Sequence, residues 1–150
     1  MISNLFKYLP EPNYNAYLPL HFNGITIGWV HQDHLEILQK FPSLFSVQNT
    51  HIEFTKIFLA LSFSERNKAI AIFSRALFEA KIIRNWRNEA YGIYYPNRDL
   101  QDALFTIERG VAPFLGFRVY GIHINGYIAP KKQEPIHKMW IAKRSKLKLI

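Results

Sequence analysis

The sequence predicts an α+β (mixed α/β) fold, in which a mostly antiparallel sheet packs with one main helix at about 63–81 and a second helix at about 32–40. Three observations lead to this fold. Apolar residues recur every three to four positions in the two helical segments, as they do on the buried face of a helix. Shorter segments alternate between apolar and polar residues, as half-buried strands do. The 150-residue chain is 49% hydrophobic, so that it can bury a core.

The first predicted elements are a short helix and a hairpin. Residues 2–8 are expected to form the helix, and an irregular arm of aromatic residues and prolines follows it. Residues 20–30 are expected to form the hairpin around Asn23-Gly24, because both positions of the tight turn need a positive φ. The second helix then occupies 32–40 and ends before Pro42.

The middle of the chain carries a strand pair and the main helix. Residues 44–56 alternate around the turn-like residues 48–50, which predicts two paired strands. Ser62 and Glu65 have the spacing of a capping box, in which the serine side chain accepts from the Glu65 backbone N–H and the glutamate reaches back to the serine N–H. The helix that follows at 63–81 is expected to be the core helix.

The remainder of the chain carries shorter predicted elements. In order they are a strand at 89–95, a short strand at 104–106, a short helix at 108–115, a β-rich run at 117–128 and a last strand at 139–142. No internal repeat or low-complexity segment interrupts them. The β-rich run and the last strand are the elements on which the domain division below depends.

Composition excludes several kinds of chemistry. The chain has no cysteine, which rules out disulfides, thiol catalysis and cysteine-based zinc sites. Its net charge of +8 would suggest a nucleic-acid partner if the charge were spread over the chain. The charge is instead concentrated in residues 131–150, which hold seven Lys or Arg against one Glu, while residues 1–130 are nearly neutral. A short basic tail can attract phosphate. A solvated chain end is the favoured interpretation, and a nucleic-acid partner is not expected.

The start of the chain predicts the location of the protein. It reads Met-Ile-Ser-Asn-Leu-Phe-Lys and then meets Pro10, Pro12 and Pro19, which fits neither a signal peptide nor a transit peptide. The apolar runs stay far below the roughly 18 residues that are needed to span a bilayer. We therefore expect a cytoplasmic protein with no membrane partner.

Three blocks carry a resemblance to a known family. They are Trp-Arg-Asn-Glu-Ala-Tyr at 86–91, Tyr-Gly-Ile-His-Ile-Asn-Gly-Tyr at 120–127 and Met-Trp-Ile-Ala-Lys-Arg-Ser at 139–145. In this order they resemble the N-terminal region of Nudix hydrolases linked to thiamine diphosphate. The resemblance runs from about residue 22 to residue 145 and includes Ile-Glu-Arg-Gly at 107–110. There the family usually reads Glu-Arg-Ala-Ala, so that Gly110 departs from it.

The resemblance implies an incomplete enzyme. Nudix hydrolases carry the box Gly-x5-Glu-x7-Arg-Glu-hydrophobic-x-Glu-Glu-x-Gly-hydrophobic, whose carboxylates hold Mg²⁺ on one helix face. No glycine in this chain is followed by Glu six positions on, and no Arg-Glu or Glu-Glu dipeptide occurs. The resemblance thus implies an accessory domain at 1–117 and, at 118–150, the first strands, about two, of an incomplete Nudix fold, truncated before the box. We expect no catalytic residue, no cofactor and no metal in this chain, and Mg²⁺ only in intact relatives.

Five residues are candidates for ligand binding. Trp86 and Arg87 could stack on a ligand ring and pair with its phosphate, because arginine offers a planar fork for oxyanions. His123 and Asn125 share one face of a predicted strand, which in relatives would face the substrate cleft, and Arg144 resembles a strand-end arginine that meets substrate phosphates. Each has a simpler interpretation that is favoured: an anchored loop for the first pair, a hydrogen-bonded histidine for the second, and a solvated side chain for Arg144.

Two functions remain open. The first is a non-catalytic accessory domain that shapes the substrate site of a Nudix hydrolase acting on thiamine diphosphate or related diphosphates. Some intact relatives are fused to thiamine pyrophosphokinase. The second is a stand-alone module that binds a diphosphate ligand or a protein partner, because the strands at 118–128 and 139–145 would present an edge for strand addition and self-association.

Overall fold

The computed structural model describes residues 13–96 and 102–119 together with Gly126, Ile128 and Trp140. The chain divides into two units, Met1–Val119 and Tyr120–Ile150. The elements below all belong to the first unit. In the second, the backbone N–H of Trp140 donates to the carbonyl of Gly126 over 2.8 Å.

The predicted hairpin is confirmed. Strands β1 (Tyr17–Phe22) and β2 (Ile25–His31) pair antiparallel. Asn23 and Gly24 connect them with φ values of 51° and 75°, the conformation that a two-residue hairpin turn demands. The Gly24 N–H donates to Glu53 Oε1 over 3.1 Å. The turn is therefore tied to another strand of the sheet as well as to its own hairpin.

The predicted strand pair between residues 44 and 56 is also confirmed. β3 (Phe45–Val47) and β4 (Ile52–Phe54) pair antiparallel. The four strands form one sheet in the order β2-β1-β4-β3, in which only the β1–β4 pairing is parallel. The sheet is thus mostly antiparallel, as the sequence predicts.

Two short helices flank this sheet. The predicted helix at 32–40 is present as a 3₁₀ turn, Gln32–His34, that runs into α1 (Leu35–Gln39). The prediction that strand structure continues to residue 56 is wrong, because β4 ends at Phe54 and α2 (Lys56–Ala60) follows at once. Thr55 causes the change, since its Oγ1 accepts from the Phe58 N–H and caps the new helix.

The main helix, α3 (Phe63–Glu79), begins where the sequence predicts. The capping box is formed in both directions: Glu65 Oε2 accepts from the Ser62 backbone N–H over 2.8 Å, and Ser62 Oγ accepts from the Glu65 N–H over 3.4 Å. At the other end Lys81 has a φ of 59°. The N–H groups of Lys81 and Ile82 donate to the carbonyls of Phe78 and Leu77, which is a Schellman ending.

A second, two-stranded sheet follows. β5 (Ala90–Ile93) and β6 (Phe105–Glu108) pair antiparallel, which confirms both predicted strands with shifted ends. The predicted helix at 108–115 is shorter than expected, a 3₁₀ turn over Ala112–Leu115, because β6 extends to Glu108 and the chain turns sharply after it. Gly116, with a φ of 61°, ends that turn.

Phenylalanine rings join the two sheets in one core. Phe54 on β4, Phe58 on α2, Phe73 on α3 and Phe105 on β6 are each at most 1% exposed. The rings of Phe54 and Phe58 stack with their centroids 4.6 Å apart, and Phe105 meets Phe54 edge-on at 5.4 Å. Aromatic contacts of this kind add to the burial of apolar area.

Several predicted elements lie outside the described residues. They are the helix at 2–8, the strand at 139–142 apart from Trp140, and most of the β-rich run at 117–128. Residues 117–119, at the start of that run, do not form a strand. None of the described helices has the length and apolar character that crossing a membrane would require.

Candidate functional site

The two described candidate residues, Trp86 and Arg87, lie in the segment 80–89 that connects α3 to β5. The segment leaves the helix through Lys81 and turns again at Asn88, both with φ values between 50° and 60°. Its conformation is held by contacts to α3 on one side and to the end of β6 on the other. The residues that make these contacts define the site.

Trp86 anchors the segment to α3. Its ring centroid lies 5.1 Å from that of Phe78, and the Arg75 guanidinium carbon lies 4.6 Å from the centroid of the Trp86 ring. The second distance falls within the range of a cation–π interaction. Trp86 is half-buried while Arg75 is exposed. These contacts are those of a junction anchor, and stacking of Trp86 on a ligand stays a prediction.

The carboxylate of Glu108 holds the backbone of the segment. It accepts from the N–H of Arg87 over 2.7 Å, from the N–H of Glu89 over 3.2 Å and from the N–H of Gly110 over 3.2 Å. Hydrogen bonds from N–H groups to a charged carboxylate are stronger than neutral ones. Glu108 therefore fixes the path of the chain on both sides of Asn88.

The next residue, Arg109, holds the other carboxylate of the site. Its Nη1 donates to both carboxylate oxygens of Glu89, over 3.0 and 2.8 Å, and its backbone N–H donates to the Glu89 carbonyl over 2.9 Å. The hydrogen bond to Glu89, followed by the charge of that group, raises the pKa of Arg109 above its ordinary value. The negative charge of Glu89 is thus paired within the site.

Gly110 lies very close to the backbone of the segment 80–89. A Cβ atom at this position would lie 2.0 Å from the carbonyl oxygen of Asn85. This chain therefore has glycine, where the resembled family usually has alanine, at a position where the segment and the turn after β6 approach each other closely.

Three cations of the segment have no such partner. Lys81, Arg84 and Arg87 are exposed, and their side chains make no ion pair with any carboxylate in residues 13–96 or 102–119. Because Glu89 and Glu108 are both engaged, the segment presents positive charge to solvent. A guanidinium group in this state can donate two parallel hydrogen bonds to a pair of phosphate oxygens.

The contacts show that the Trp-Arg-Asn-Glu and Ile-Glu-Arg-Gly blocks are one structural unit. The sequence indicates Glu108 and Arg109 only as part of the block at 107–110 that carries the family resemblance. The signal that could have found them is the antiparallel pairing of β5 and β6, which places Ala90 opposite Glu108. That register brings Arg109 next to Glu89.

The other three candidates, His123, Asn125 and Arg144, lie outside the described residues. The structure therefore brings together only Trp86 and Arg87 of the predicted set. Self-association through 118–128 and 139–145 likewise stays a prediction.

No metal-ligand group of three or more His, Cys, Asp or Glu side chains occurs in the described part of the chain. Two neighbouring histidines, His31 and His34, have ring centroids 6.0 Å apart, and the ring of His34 stacks on that of Phe114 with centroids 4.1 Å apart.

A cleft of about 300 Å³ lies beside β1 and α1. Its lining consists of aliphatic and amide side chains: Leu18, Gln32, Leu35, Gln39, Val47, Gln48 and Asn49. Among the described residues this lining holds no charged group, so that it offers a diphosphate no counter-charge, whereas the segment 80–89 carries three cations.

Comparison with known proteins relates this fold to a family. The domain of unknown function DUF4743 matches residues 3–119. Nudix hydrolase 24, chloroplastic, of Arabidopsis thaliana is 30% identical over 129 residues, which are 86% of this chain and 34% of that protein. Nudix hydrolase 20, chloroplastic, of the same plant is 30% identical over 136 residues, 86% of this chain and 35% of that protein.

A yeast protein is also similar. The uncharacterized protein YJR142W of Saccharomyces cerevisiae is 34% identical over 94 residues, 61% of this chain and 26% of that protein. This chain thus spans about a third or less of the length of the curated relatives it matches. Because the domain match covers more than half of the chain, the protein belongs to the DUF4743 family and is related to Nudix hydrolases.

Proposed function

We propose that this chain is a non-catalytic accessory domain that binds the diphosphate group of a substrate, thiamine diphosphate or a related compound, for a Nudix-type hydrolase. The observation that carries the proposal is the segment 81–87, in which three exposed cations have no ion-pair partner among the described residues, while Glu89 is paired with Arg109 and Glu108 with backbone N–H groups. The relation to Nudix hydrolases supports a diphosphate as the ligand class.

A catalytic role would need residues that the chain lacks. Nudix chemistry requires several carboxylates on one helix face to hold Mg²⁺, which polarises the diphosphate and orients water. The box that supplies them is absent from all 150 residues. The chain's own residues therefore do not fit a Nudix Mg²⁺ site. In this proposal a separate catalytic domain carries out the reaction, and the greater length of the relatives leaves room for such a domain.

The arginines suit the proposed ligand. Arg84 and Arg87 each present a planar set of donors that matches two oxygens of a phosphate group. The backbone of Arg87 is fixed by Glu108, so that less conformational freedom is lost on binding than from an unconstrained loop. The ring of Trp86 is already packed against Phe78 and Arg75, and we assign it the role of fixing the segment.

The test is a thermal-shift titration of the purified chain with thiamine diphosphate and, separately, with thiamine, combined with an assay for phosphate release with and without Mg²⁺. A ligand at a hundredfold excess over its Kd stabilises the folded state by about 2.7 kcal/mol. We expect a shift with the diphosphate, none with thiamine and no release of phosphate. Turnover would contradict the non-catalytic role, and equal shifts would contradict diphosphate recognition.

A matched pair of variants tests the position of the site. Arg84→Gln/Arg87→Gln should lose most of the diphosphate-induced shift, because both phosphate-binding guanidinium groups are removed. Lys40→Gln/Lys56→Gln removes the same charge from two exposed positions, one directly after α1 and one at the first residue of α2, and should keep the shift. Equal losses in the two variants would mean nonspecific attraction by net charge.

Two further expectations accompany this function. We propose a cytoplasmic location, which a fluorescent fusion would check. Self-association through 118–128 and 139–145 is the alternative mode of action, and size-exclusion chromatography with light scattering would detect it as a dimer.

A further inference from the structure

We propose that Arg109 is a positioning residue for the ligand: by holding the Glu89 carboxylate, it keeps that group from competing with a phosphate for the guanidinium of Arg87. This inference rests on the proposed function, since it concerns the anion affinity of the same segment. It assigns a role to a residue outside the predicted set.

The competition that Arg109 prevents follows from the sequence. Glu89 lies two residues from Arg87, and an unpaired carboxylate at this distance is within reach of a long arginine side chain. In the structure Arg109 Nη1 contacts both oxygens of Glu89, over 3.0 and 2.8 Å, so that neither oxygen is left without a cationic donor. Both oxygens of the carboxylate are thus engaged by Arg109 in the structure.

The second carboxylate of the site is occupied differently. Glu108 accepts from three backbone N–H groups, including that of Arg87 itself. Its charge is held by the backbone, whereas within residues 13–96 and 102–119 the charge of Glu89 is paired with the Arg109 side chain alone. Removing that side chain therefore releases one specific carboxylate and leaves the other in place.

The Arg109 side chain is not what holds the strands together. The Arg109 backbone N–H still donates to the Glu89 carbonyl, and β5 and β6 keep four paired positions from Ala90–Glu108 to Ile93–Phe105. Both side chains of the ion pair are also roughly half exposed, at 43% and 52%. Exposed pairs of this kind contribute little to stability. A variant that lacks the Arg109 guanidinium is expected to fold.

The test is isothermal titration of inorganic pyrophosphate into the wild-type chain, Arg109→Gln, Glu89→Gln and the double variant Arg109→Gln/Glu89→Gln at one ionic strength. Arg109→Gln should bind roughly two- to fivefold more weakly, because the released carboxylate competes for Arg87 as an exposed ion pair. The double variant should return to about the wild-type affinity, since the competing charge is gone. Arg109→Lys keeps a cation beside Glu89 and should retain most of the affinity.

The outcomes separate the two proposals. Wild-type affinity in Arg109→Gln would overturn the inference alone. A double variant that stays as weak as Arg109→Gln would also overturn it, because the pair would then matter only for structure. Melting curves of each variant control for folding. No binding of pyrophosphate by the wild-type chain would overturn the proposed function and this inference together.

Discussion

At the scale of single residues, close backbone approaches decide which side chains are tolerated. Gly116 has a φ of 61°, and a Cβ atom there would lie 1.9 Å from the carbonyl oxygen of Trp29. Gly28 faces the same junction, with a Cβ position 2.5 Å from the carbonyl oxygen of Leu115. The turn over Ala112–Leu115 can therefore lie against β2 only because both positions lack a side chain.

Gly116→Ala should lower the free energy of unfolding by about 2 kcal/mol or more, because the methyl group meets backbone atoms and the φ is unfavourable. Gly24→Ala is the matched control. It also has a positive φ, 75°, but nothing lies within 4 Å of its Cβ position, so that only the conformational cost of about 1 kcal/mol remains. Urea denaturation of both variants measures the difference, and equal losses would contradict the close approach.

Ser74 is a residue whose hydroxyl group has no partner among the described residues. Its Oγ is buried on α3 and makes no hydrogen bond, and the residue is 1% exposed. A buried hydroxyl without a hydrogen bond costs about 1–3 kcal/mol. Ser74→Ala should therefore leave the free energy of unfolding unchanged or raise it by about 1 kcal/mol. A loss above about 1 kcal/mol in urea denaturation would show that the hydroxyl is satisfied in solution.

At the scale of elements, local chemistry explains both the successes and the failures of the sequence-based prediction. The hairpin, the strand pair and α3 depend on signals within a few residues: Asn23-Gly24, the alternation on either side of 48–50, and the Ser62–Glu65 box. The start of α2 was missed because Thr55 can continue a strand or cap a helix, and tertiary packing of the buried Phe58 favours the helix.

The helix at 108–115 was overextended for a similar reason. The apolar residues of that stretch fit helical spacing. Glu108 nevertheless remains the last residue of β6, where its carboxylate accepts hydrogen bonds from the N–H groups of Arg87 and Glu89. The candidate site shows the same limit. Trp86 and Arg87 could be selected by residue type, whereas the roles of Glu108 and Arg109 depend on partners about twenty residues away in sequence, which no local pattern reveals.

The capping box gives α3 a predictable dependence on pH. The hydrogen bonds from the Ser62 side chain and backbone lower the pKa of Glu65 below its ordinary value. A group whose pKa is lowered on folding contributes stability above its unfolded pKa and loses it as the pH falls through the folded pKa. Ser62→Ala should therefore destabilise the chain most near neutral pH, and the gap from wild type should shrink as the pH falls from about 6 to about 3. Thermal melts across this range measure the gap, and a gap that widens in acid would contradict the box.

The Schellman ending of α3 can be improved. Lys81 has a φ of 59°, a conformation that costs a residue with a Cβ atom about 1 kcal/mol and glycine almost nothing. Lys81→Gly should raise the free energy of unfolding by roughly 0.5–1 kcal/mol. Lys68→Gly, in the middle of the same helix, removes the same charge and should lower it by about 1 kcal/mol. Chemical denaturation that gives both variants the same sign would contradict the assigned ending.

At the scale of the whole first unit, one arginine side chain links the two sheets and the helices α2 and α3. Arg66 on α3 donates from Nε to the Leu61 carbonyl over 2.9 Å and from Nη1 to the Leu104 carbonyl over 2.9 Å. Its guanidinium carbon also lies 5.3 Å from the centroid of the Phe22 ring. A single side chain thus connects the end of α2, the start of β6 and a core ring of β1.

Removing Arg66 should therefore weaken the whole unit and not one element. Arg66→Ala breaks three charge-assisted hydrogen bonds in a half-buried setting, the third from Nη2 to the Leu59 carbonyl over 3.4 Å, and we expect a loss of about 3 kcal/mol. Arg75→Ala on the same helix is the matched control, because Arg75 is exposed and the interaction recorded for its side chain in the described part of the chain is the cation–π contact with Trp86, so that its loss should stay within about 1 kcal/mol. Urea denaturation followed by both fluorescence and circular dichroism should show one coincident transition for Arg66→Ala at a lower midpoint. Two separated transitions would mean that the two sheets unfold independently. Equal losses of stability in the two variants would mean that Arg66 stabilises no element beyond its own helix.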